Sequence, residues 1–293
     1  MSGPPRIFDP ILADKRRSRA FAAGVAGADF LERLVAEDIV ERLATVKRQF
    51  ALAVEVGSQT SVLAKTGQVD RIVRVDRLSA TEPDVVGDAE LLPFKLGSLD
   101  LVVSILSLHT ANDLPGAFAQ IRRALKPDGL FLAAFLGGDT LTELRQSFAA
   151  AEAEITGGAS PRVAPFTDVR TAGSLLQRAG FALPVADFDS HTVRYGSALD
   201  LMRDLRAMGL GNILVERSRR PLRRAVLARA VEVYGEHFAD ADGRVRATFE
   251  VISLSGWAPH ESQQKPLKPG SAHVRLADAL GTRETPAGEK ARN

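Results

Sequence analysis

Short runs of β-branched and other apolar residues, separated by stretches with helical spacing, restrict the fold of this chain more than any other feature. The runs cover residues 51–56, 71–75, 84–86, 99–104 and 130–136. Runs that are apolar throughout are typical of strands buried on both faces of a parallel sheet. Strands that alternate with helices build a doubly wound sheet. The pattern therefore predicts an α/β fold.

The rest of the chain is organised around this core. Residues 1–28 are proline-rich and then basic, which predicts an N-terminal arm with a short helical segment, and residues 29–257 are expected to form the domain. The helical block 197–235 is longer than an ordinary connection and is interpreted as a lid or partner-binding insertion. Residues 258–293 are polar, which predicts a C-terminal clamp and a tail that is disordered beyond Arg283. Two further strand patterns flank the insertion, at residues 181–195 and 244–254.

Composition excludes several classes of protein. With no cysteine and no HExxH spacing among its five histidines, the chain is not expected to hold disulfides or a metal. A net charge of +2 argues against a dedicated nucleic-acid binder. The longest apolar run, residues 130–136, is far shorter than the about 20 residues of a membrane helix. Because the N-terminus also lacks the apolar core of a secretory signal, we expect a cytoplasmic protein.

A cluster of arginines lies inside the predicted helical block. These residues can contact an acidic protein, RNA or anionic lipid, so peripheral membrane contact stays open. As a solvated helix face they need no partner. The members are Arg217, Arg219, Arg220, Arg223 and Arg224.

Acidic residues and a glycine follow the first two runs, at the sheet edge where doubly wound folds bind nucleotide-type ligands. Glu55 and Gly57 end the first run, and a glycine there lets the backbone approach a ligand closely. Taken alone, Glu55 and Gly57 fit a plain strand-to-helix turn equally well. Asp76 ends the second run, where a carboxylate can accept hydrogen bonds from both ribose hydroxyls. The alternative for Asp76 is a surface ion pair with Arg77.

The third and fourth runs add more specific candidates. Asp88 can accept a hydrogen bond from an adenine amino group, while Ala89 and its loop hold the ring edge, and Ser104 ends the fourth run. Taken in order, the candidates resemble those of class I methyltransferases dependent on S-adenosylmethionine (SAM). The resemblance implies a seven-stranded, Rossmann-like doubly wound sheet with the helical insertion before its last strand. The candidate cofactor-binding residues are Glu55, Gly57, Asp76, Asp88, Ala89 and Ser104.

Two residues after the fourth run are candidate catalytic groups. His109 lies where an imidazole can face both cofactor and substrate and act as a general base near neutral pH. A histidine hydrogen-bonded for positioning is the alternative. Asp113 can orient His109, or it can cap the helix that follows.

Several segments resemble one methyltransferase branch, the family of mitochondrial complex I assembly factor 5 and its bacterial relatives. The likeness lies in residues 106–109, 112–115, 125–129, 137–145 and 256–263. It implies a SAM-type cofactor and a protein substrate, the quinone-site iron–sulfur subunit of complex I, on which mitochondrial members are described as hydroxylating an arginine. Two departures stand out: the family's loop, an acid followed by Gly-Cys-Gly-x-Gly, is reduced here to Glu55 and Gly57 with the bulkier Ser58 and Gln59 after them, and Thr110 replaces a tryptophan. The bulkier loop predicts weakened or lost SAM binding.

Three functions follow from these observations. The first is a methyltransferase-family enzyme that acts on a protein during respiratory complex assembly. The second is a non-catalytic assembly factor whose altered loop no longer binds cofactor. The third is a methyltransferase for small molecules or a carrier protein, against which the His-Glu-Ser-Gln segment at 260–263 argues. The oligomeric state is left open.

Overall fold

A computed structural model describes residues 6–59, 61–264, 271 and 274–283 of the chain. The chain divides into a first unit, Met1–Pro259, and a second unit, His260–Asn293. The second unit contains a short helix at Leu276–Leu280 and begins with the predicted clamp residues. The tail beyond Arg283, expected to be disordered, lies outside the described residues.

A seven-stranded sheet forms the centre of the first unit. Its strands are β1 (Phe50–Val56), β2 (Val69–Asp76), β3 (Val85–Val86), β4 (Leu99–Ile105), β5 (Leu125–Leu136), β6 (Ala182–Tyr195) and β7 (Val245–Trp257). Their order is β3-β2-β1-β4-β5-β7-β6. All neighbours are parallel except β7, which is antiparallel to both β5 and β6. The predicted doubly wound fold is confirmed, and its order reverses between β1 and β4, the switch point at which such sheets bind ligands.

Helices cover both faces of this sheet. They are α1 (Pro10–Ala23), α2 (Phe30–Ala44), α3 (Leu114–Ala124), α4 (Thr142–Thr156), α5 (Val169–Arg178), α6 (Ala198–Ala207) and α7 (Arg224–Phe238). One buried cluster joins α2, α4, α6 and α7 to one face, and a second joins α3 and α5 to the other. The insertion before the last strand consists of α6 and α7. Across the described residues, every helix falls short of the length and hydropathy that crossing a bilayer requires.

The N-terminal arm contains a helix of 14 residues, longer than the short segment expected. Asp9 begins it, since its side chain accepts a hydrogen bond from the Leu12 amide at 3.0 Å, and Pro10 occupies the first turn. Gly24 ends it with φ +53°, a left-handed conformation that favours glycine. None of the residues of α1 is fully buried.

Two segments differ from the sequence-based expectation. Residues 208–223, which hold most of the clustered arginines, form an irregular connection between α6 and α7 and not a helix face. Pro221 gives the reason, because it disfavours helix in the residue before it and cannot donate within a helix. Residues 126–129 contain Pro127 and Gly129, a pattern that predicts a turn, but they belong to β5, where Asp128 has φ +62° and the register with β4 shifts.

Candidate functional site

The ends of β1, β2 and β4 bring the sequence-predicted residues to one edge of the sheet. Val56 is paired with Val75 on one side and with Ser104 on the other. Gly57 follows with φ +80°, and its amide donates to the Val75 carbonyl at 2.9 Å. Ser104 is buried, and its hydroxyl lies 2.8 Å from that of Ser107. The chain therefore turns sharply over the switch point.

The Glu55 carboxylate fixes the connection that follows β1. Its Oε1 accepts hydrogen bonds from the amides of Val62 (2.8 Å) and Leu63 (2.5 Å). Burial raises the pKa of Glu55, although these hydrogen bonds act in the opposite direction. The only regular structure described in this connection is a 3₁₀ turn at Leu63–Lys65. Glu55 thus shapes the loop, and its predicted contact with a cofactor stays a prediction.

The two residues that depart from the family's loop are held by neighbours. The Gln59 amide donates to Glu32 Oε1 at 2.9 Å. Arg74 Nη2 donates to the carbonyl oxygens of Gln59 (2.8 Å) and Ser58 (3.4 Å). The Ser58 hydroxyl is buried and has no hydrogen-bond partner among the described residues. Much of the loop backbone is therefore already hydrogen-bonded within the protein.

Asp76 lies at the end of β2 and is paired with a residue of the N-terminal helix. Arg17 Nη1 donates to Asp76 Oδ1 at 2.9 Å, and Arg17 Nη2 donates to Oδ2 at 2.7 Å. The Leu78 amide also donates to Oδ1, at 2.8 Å. The Asp76 side chain is 1% exposed. The alternative of a surface ion pair with Arg77 is wrong, because Asp76 is buried and its partner is Arg17.

Arg77 instead connects the N-terminal helix to the segment after β3. Its guanidinium donates to Asp14 at 3.0 and 2.8 Å and to Asp88. Asp88 Oδ1 also accepts from the Glu90 amide at 2.9 Å, and Ala89 packs against the core cluster of α3 and α5. Asp88 and Ala89 thus lie in the segment after β3, and one oxygen of Asp88 is engaged by Arg77; their predicted contact with an adenine stays a prediction.

His109 is a buried, uncharged imidazole at this edge. It lies in a 3₁₀ turn after β4, with its ring centre 5.7 Å from that of Phe166. Burial, followed by the positive charge of Arg17, lowers the pKa of His109 from 6.5 to about 4. Its Nδ1 has no hydrogen-bond partner among the described residues. His109 can therefore accept a hydrogen bond from a ligand at neutral pH, but it is a weak proton acceptor there.

Asp113 begins α3, as the capping alternative predicted. Its Oδ1 accepts a hydrogen bond from the Gly116 amide at 2.8 Å, and its side chain is exposed. Within the described part of the chain, no hydrogen bond joins Asp113 to His109. A catalytic role for either residue stays a prediction.

Comparisons with known proteins show which family this chain is similar to. A family model described as "Methyltransferase domain" matches residues 51–133. The zebrafish (Danio rerio) protein "Arginine-hydroxylase NDUFAF5, mitochondrial" is 40% identical over 288 residues, which cover 93% of this chain and 89% of that protein. The chain belongs to the NDUFAF5 family. The resemblance seen in the sequence is therefore confirmed.

This chain is also similar to a curated methyltransferase, and it shares its fold with a solved structure. "Malonyl-[acyl-carrier protein] O-methyltransferase" of Gallionella capsiferriformans is 31% identical over 279 residues, covering 86% of this chain and 93% of that protein. The solved YcgJ protein from Bacillus subtilis superposes with a TM-score of 0.52 over 78% of this chain and 99% of that chain. At 14% identity, that structure shows the fold alone.

Sequence reasoning missed two residues that complete this edge in the NDUFAF5-family chain. Arg17 pairs with Asp76, and Asn112 holds the start of the arm. Asn112 Oδ1 accepts from the amides of Ile7 and Phe8, both at 2.9 Å, and its Nδ2 donates to the Phe8 carbonyl at 3.2 Å. The family resemblance at residues 112–115 was the one signal for Asn112, and nothing in the local sequence pointed from Arg17 to Asp76.

Proposed function

We propose that this protein binds a SAM-class cofactor at the switch point and acts on an arginine side chain of a protein subunit during assembly of respiratory complex I. We infer the class of substrate from the zebrafish relative, which is named an arginine hydroxylase. Similarity over 93% of this chain extends well beyond the cofactor-binding half.

The observation that carries the proposal is the position of Asp76. A carboxylate at the end of β2, next to a glycine at the end of β1, is the arrangement that doubly wound folds use to bind ribose hydroxyls. Asp76 has the expected place and burial, and Gly57 has a backbone conformation that few other residues adopt.

Asp76 and Gly57 fit the nucleoside end of such a cofactor. Two buried polar atoms at this edge, the Ser58 hydroxyl and His109 Nδ1, have no hydrogen-bond partner among the described residues and are available to a ligand. The loop fits the methionine end of the cofactor less well, because Glu32 and Arg74 already form hydrogen bonds with the amide and carbonyl groups of Gln59. We therefore expect binding that is weaker than an open glycine-rich loop would give.

Each residue then has a distinct task. Asp76 would hold the ribose, Asp88 and Ala89 would border the adenine, and Gly57 would let the backbone approach. When bound, the cofactor supplies an electrophilic methyl group on a sulfonium. His109 would accept a hydrogen bond from the substrate in its uncharged form, since its pKa is about 4.

Calorimetric titration of the full chain with S-adenosylhomocysteine tests the cofactor half of the proposal. We expect heat of binding with the natural protein. In an Arg17→Ala background, which removes the side chain paired with Asp76, we expect at least about tenfold weaker binding to Asp76→Asn, because one hydrogen-bonded charge is lost. Asp70→Asn in the same background is the matched control, since Asp70 is an exposed residue of the same strand. Equal affinity in all three Arg17→Ala proteins would show that Asp76 does not hold the ligand.

Mass spectrometry tests the substrate half. Complex I subunits from cells with and without the protein are digested and compared. We expect one arginine-containing peptide to carry an added mass only when the protein is present, and the size of that mass distinguishes an added oxygen from an added methyl group. Identical peptide masses in both samples would contradict the proposed substrate class.

A second candidate, client binding without chemistry, is favoured by the closed loop and by the pairing of Asp76 with Arg17. The double substitution Ser58→Gly and Gln59→Gly separates the two functions. If S-adenosylhomocysteine binds only the substituted protein, the natural chain is a binding module. If it binds both, the first proposal stands.

A further inference from the structure

The N-terminal helix lies across the candidate site and is attached to it mainly through charges. Arg17 bonds both carboxylate oxygens of Asp76, and Asp14 pairs with Arg77 at 2.8 Å. The helix also crosses Gly209, where an added Cβ would lie 3.3 Å from the Arg17 Cα and 3.5 Å from the Ala20 Cβ. No residue of α1 is fully buried, and its apolar residues Leu12 and Ala13 pack against Phe8, Ile213 and Leu214, so hydrophobic burial is small and concentrated near the start of the helix.

The two ends of this helix differ in how firmly they are held. Before α1, Phe8 is 4% exposed, forms an antiparallel bridge with Leu214 and is hydrogen-bonded by Asn112. After α1, the exposed connection 24–28 contains Gly24 (φ +53°) and Gly27 (φ +80°), with no atom within 4 Å of a Cβ added at either glycine. The start of α1 is thus held by buried and hydrogen-bonded contacts, whereas its other end runs into a short segment with two left-handed glycines, and short segments of this kind act as the hinges of lids.

We propose that α1 is an autoinhibitory lid and that the ion pair between Arg17 and Asp76 is its latch. A ligand that needs the Asp76 carboxylate has to displace Arg17 before it can bind. The identity of that ligand rests on the proposed function, whereas the latch itself does not.

Arg17 and a ligand compete for Asp76 because both carboxylate oxygens of Asp76 already accept hydrogen bonds. Oδ1 accepts from Arg17 and from the Leu78 amide, and Oδ2 accepts from Arg17. Ribose hydroxyls would need the positions that the Arg17 guanidinium occupies, so the latched and ligand-bound states exclude each other. The apparent affinity for the ligand then falls by the fraction of protein that is unlatched. Because the Arg17 side chain is 29% exposed, solvent screens the pair, and we expect a reduction of only about tenfold.

The latch is tested first without any ligand. The chain has no natural cysteine, so Ala20→Cys introduces a single thiol on the side of α1 that faces Gly209. We expect a maleimide reagent to label this thiol about tenfold faster when Arg17→Ala is added. Arg19→Ala is the matched control, because it removes the same charge from an exposed position of the same helix.

A second variant tests whether faster labelling reflects a general loss of folding. Arg17→Lys keeps the charge but cannot bond both oxygens in the planar fork of a guanidinium, so we expect an intermediate labelling rate. Added salt should speed labelling of the Ala20→Cys protein and have a smaller effect once Arg17 is removed, since the pair of Asp14 with Arg77 is then still left to be screened.

Titration with S-adenosylhomocysteine is the second arm of the test. We expect Arg17→Ala to bind about tenfold more tightly than the natural protein and Arg19→Ala to bind equally. Unchanged labelling in Arg17→Ala overturns the latch, whatever the ligand does. Faster labelling with no binding in any variant supports the latch and contradicts the proposed cofactor, so the two failures are distinguishable.

Discussion

Gly57 and Ser107 touch so closely that a Cβ added at residue 57 would lie 2.2 Å from the Ser107 Cβ. Ser107 is fixed in turn, because its hydroxyl donates to the Val56 carbonyl at 3.3 Å and lies 2.8 Å from the Ser104 hydroxyl. The turn after β4 is therefore packed directly on the turn after β1, with no room for a side chain between them.

Gly57→Ala should destabilise the protein by about 2–4 kcal/mol, the sum of left-handed strain and overpacking. Gly67→Ala is the matched control, since Gly67 has φ +65° but no atom within 4 Å of an added Cβ, and it should cost only about 1 kcal/mol. Urea unfolding measures both values. Equal losses in the two variants would show that the contact with Ser107 relaxes without cost.

The depressed pKa of His109 makes stability depend on pH. The folded protein takes up this proton only near its pKa of about 4, whereas the unfolded chain takes it up near 6.5. The unfolded state therefore binds more protons between these values, and stability falls as the pH is lowered through this window. Between about pH 7 and about pH 4.5, His109 should account for a loss of about 2 kcal/mol.

His109→Gln removes this group and should flatten that part of the stability profile relative to the natural protein. His237→Gln, at an exposed position of α7, serves as the control for the loss of one histidine. Urea unfolding at a series of pH values gives the difference between variant and natural protein. A difference that stays constant with pH would mean that His109 titrates alike in the folded and unfolded states.

The strands could be predicted from the sequence because burial on both faces leaves a local signal. The run predicted at residues 99–104 corresponds to β4, every residue of which is buried. The start of a helix could also be predicted where a cap exists, as at Asp113, whose side chain accepts a hydrogen bond from the Gly116 amide at 2.8 Å. The length of α1 was missed because none of its residues is fully buried and charged residues fill its half-buried side, which leaves no sustained apolar period.

The candidate site was predictable only in part, for a related reason. Gly57 and Asp76 were found because they follow strands, and a strand end is a local property. The pairing of Arg17 with Asp76 joins residues 59 positions apart, and the bonds of Asn112 to the arm join residues 104 and 105 apart. Such contacts depend on how the arm folds back over the sheet, which no local pattern in this sequence records.

Arg74 ties the connection after β1 to the segment between β2 and β3. Its guanidinium donates to the carbonyl oxygens of Gln59 (2.8 Å), Thr81 (3.0 Å) and Glu82 (3.3 Å). Arg74→Lys keeps the charge but loses the fork, so we expect a loss of about 2 kcal/mol in urea unfolding and faster amide exchange at residues 57–59. Arg71→Lys, at an exposed position of β2, should leave both unchanged. Unaltered exchange in Arg74→Lys would show that Glu32 alone holds the loop.

Asn112 should control how firmly the root of the arm is attached. Asn112→Ala removes two hydrogen bonds accepted from the amides of Ile7 and Phe8 and one donated to the Phe8 carbonyl. We expect amide exchange at residues 7–12 to rise about tenfold, which corresponds to the net loss of about 1 kcal/mol typical of such bonds.

The neighbouring Asp113→Ala provides the contrast for Asn112→Ala. It removes the cap of α3 and should lower the free energy of unfolding by about 1 kcal/mol while leaving exchange at residues 7–12 unchanged. Hydrogen exchange followed by mass spectrometry measures both segments in one experiment. If exchange of the arm rose equally in the two variants, the arm would be reporting global stability, and Asn112 would not be its specific anchor.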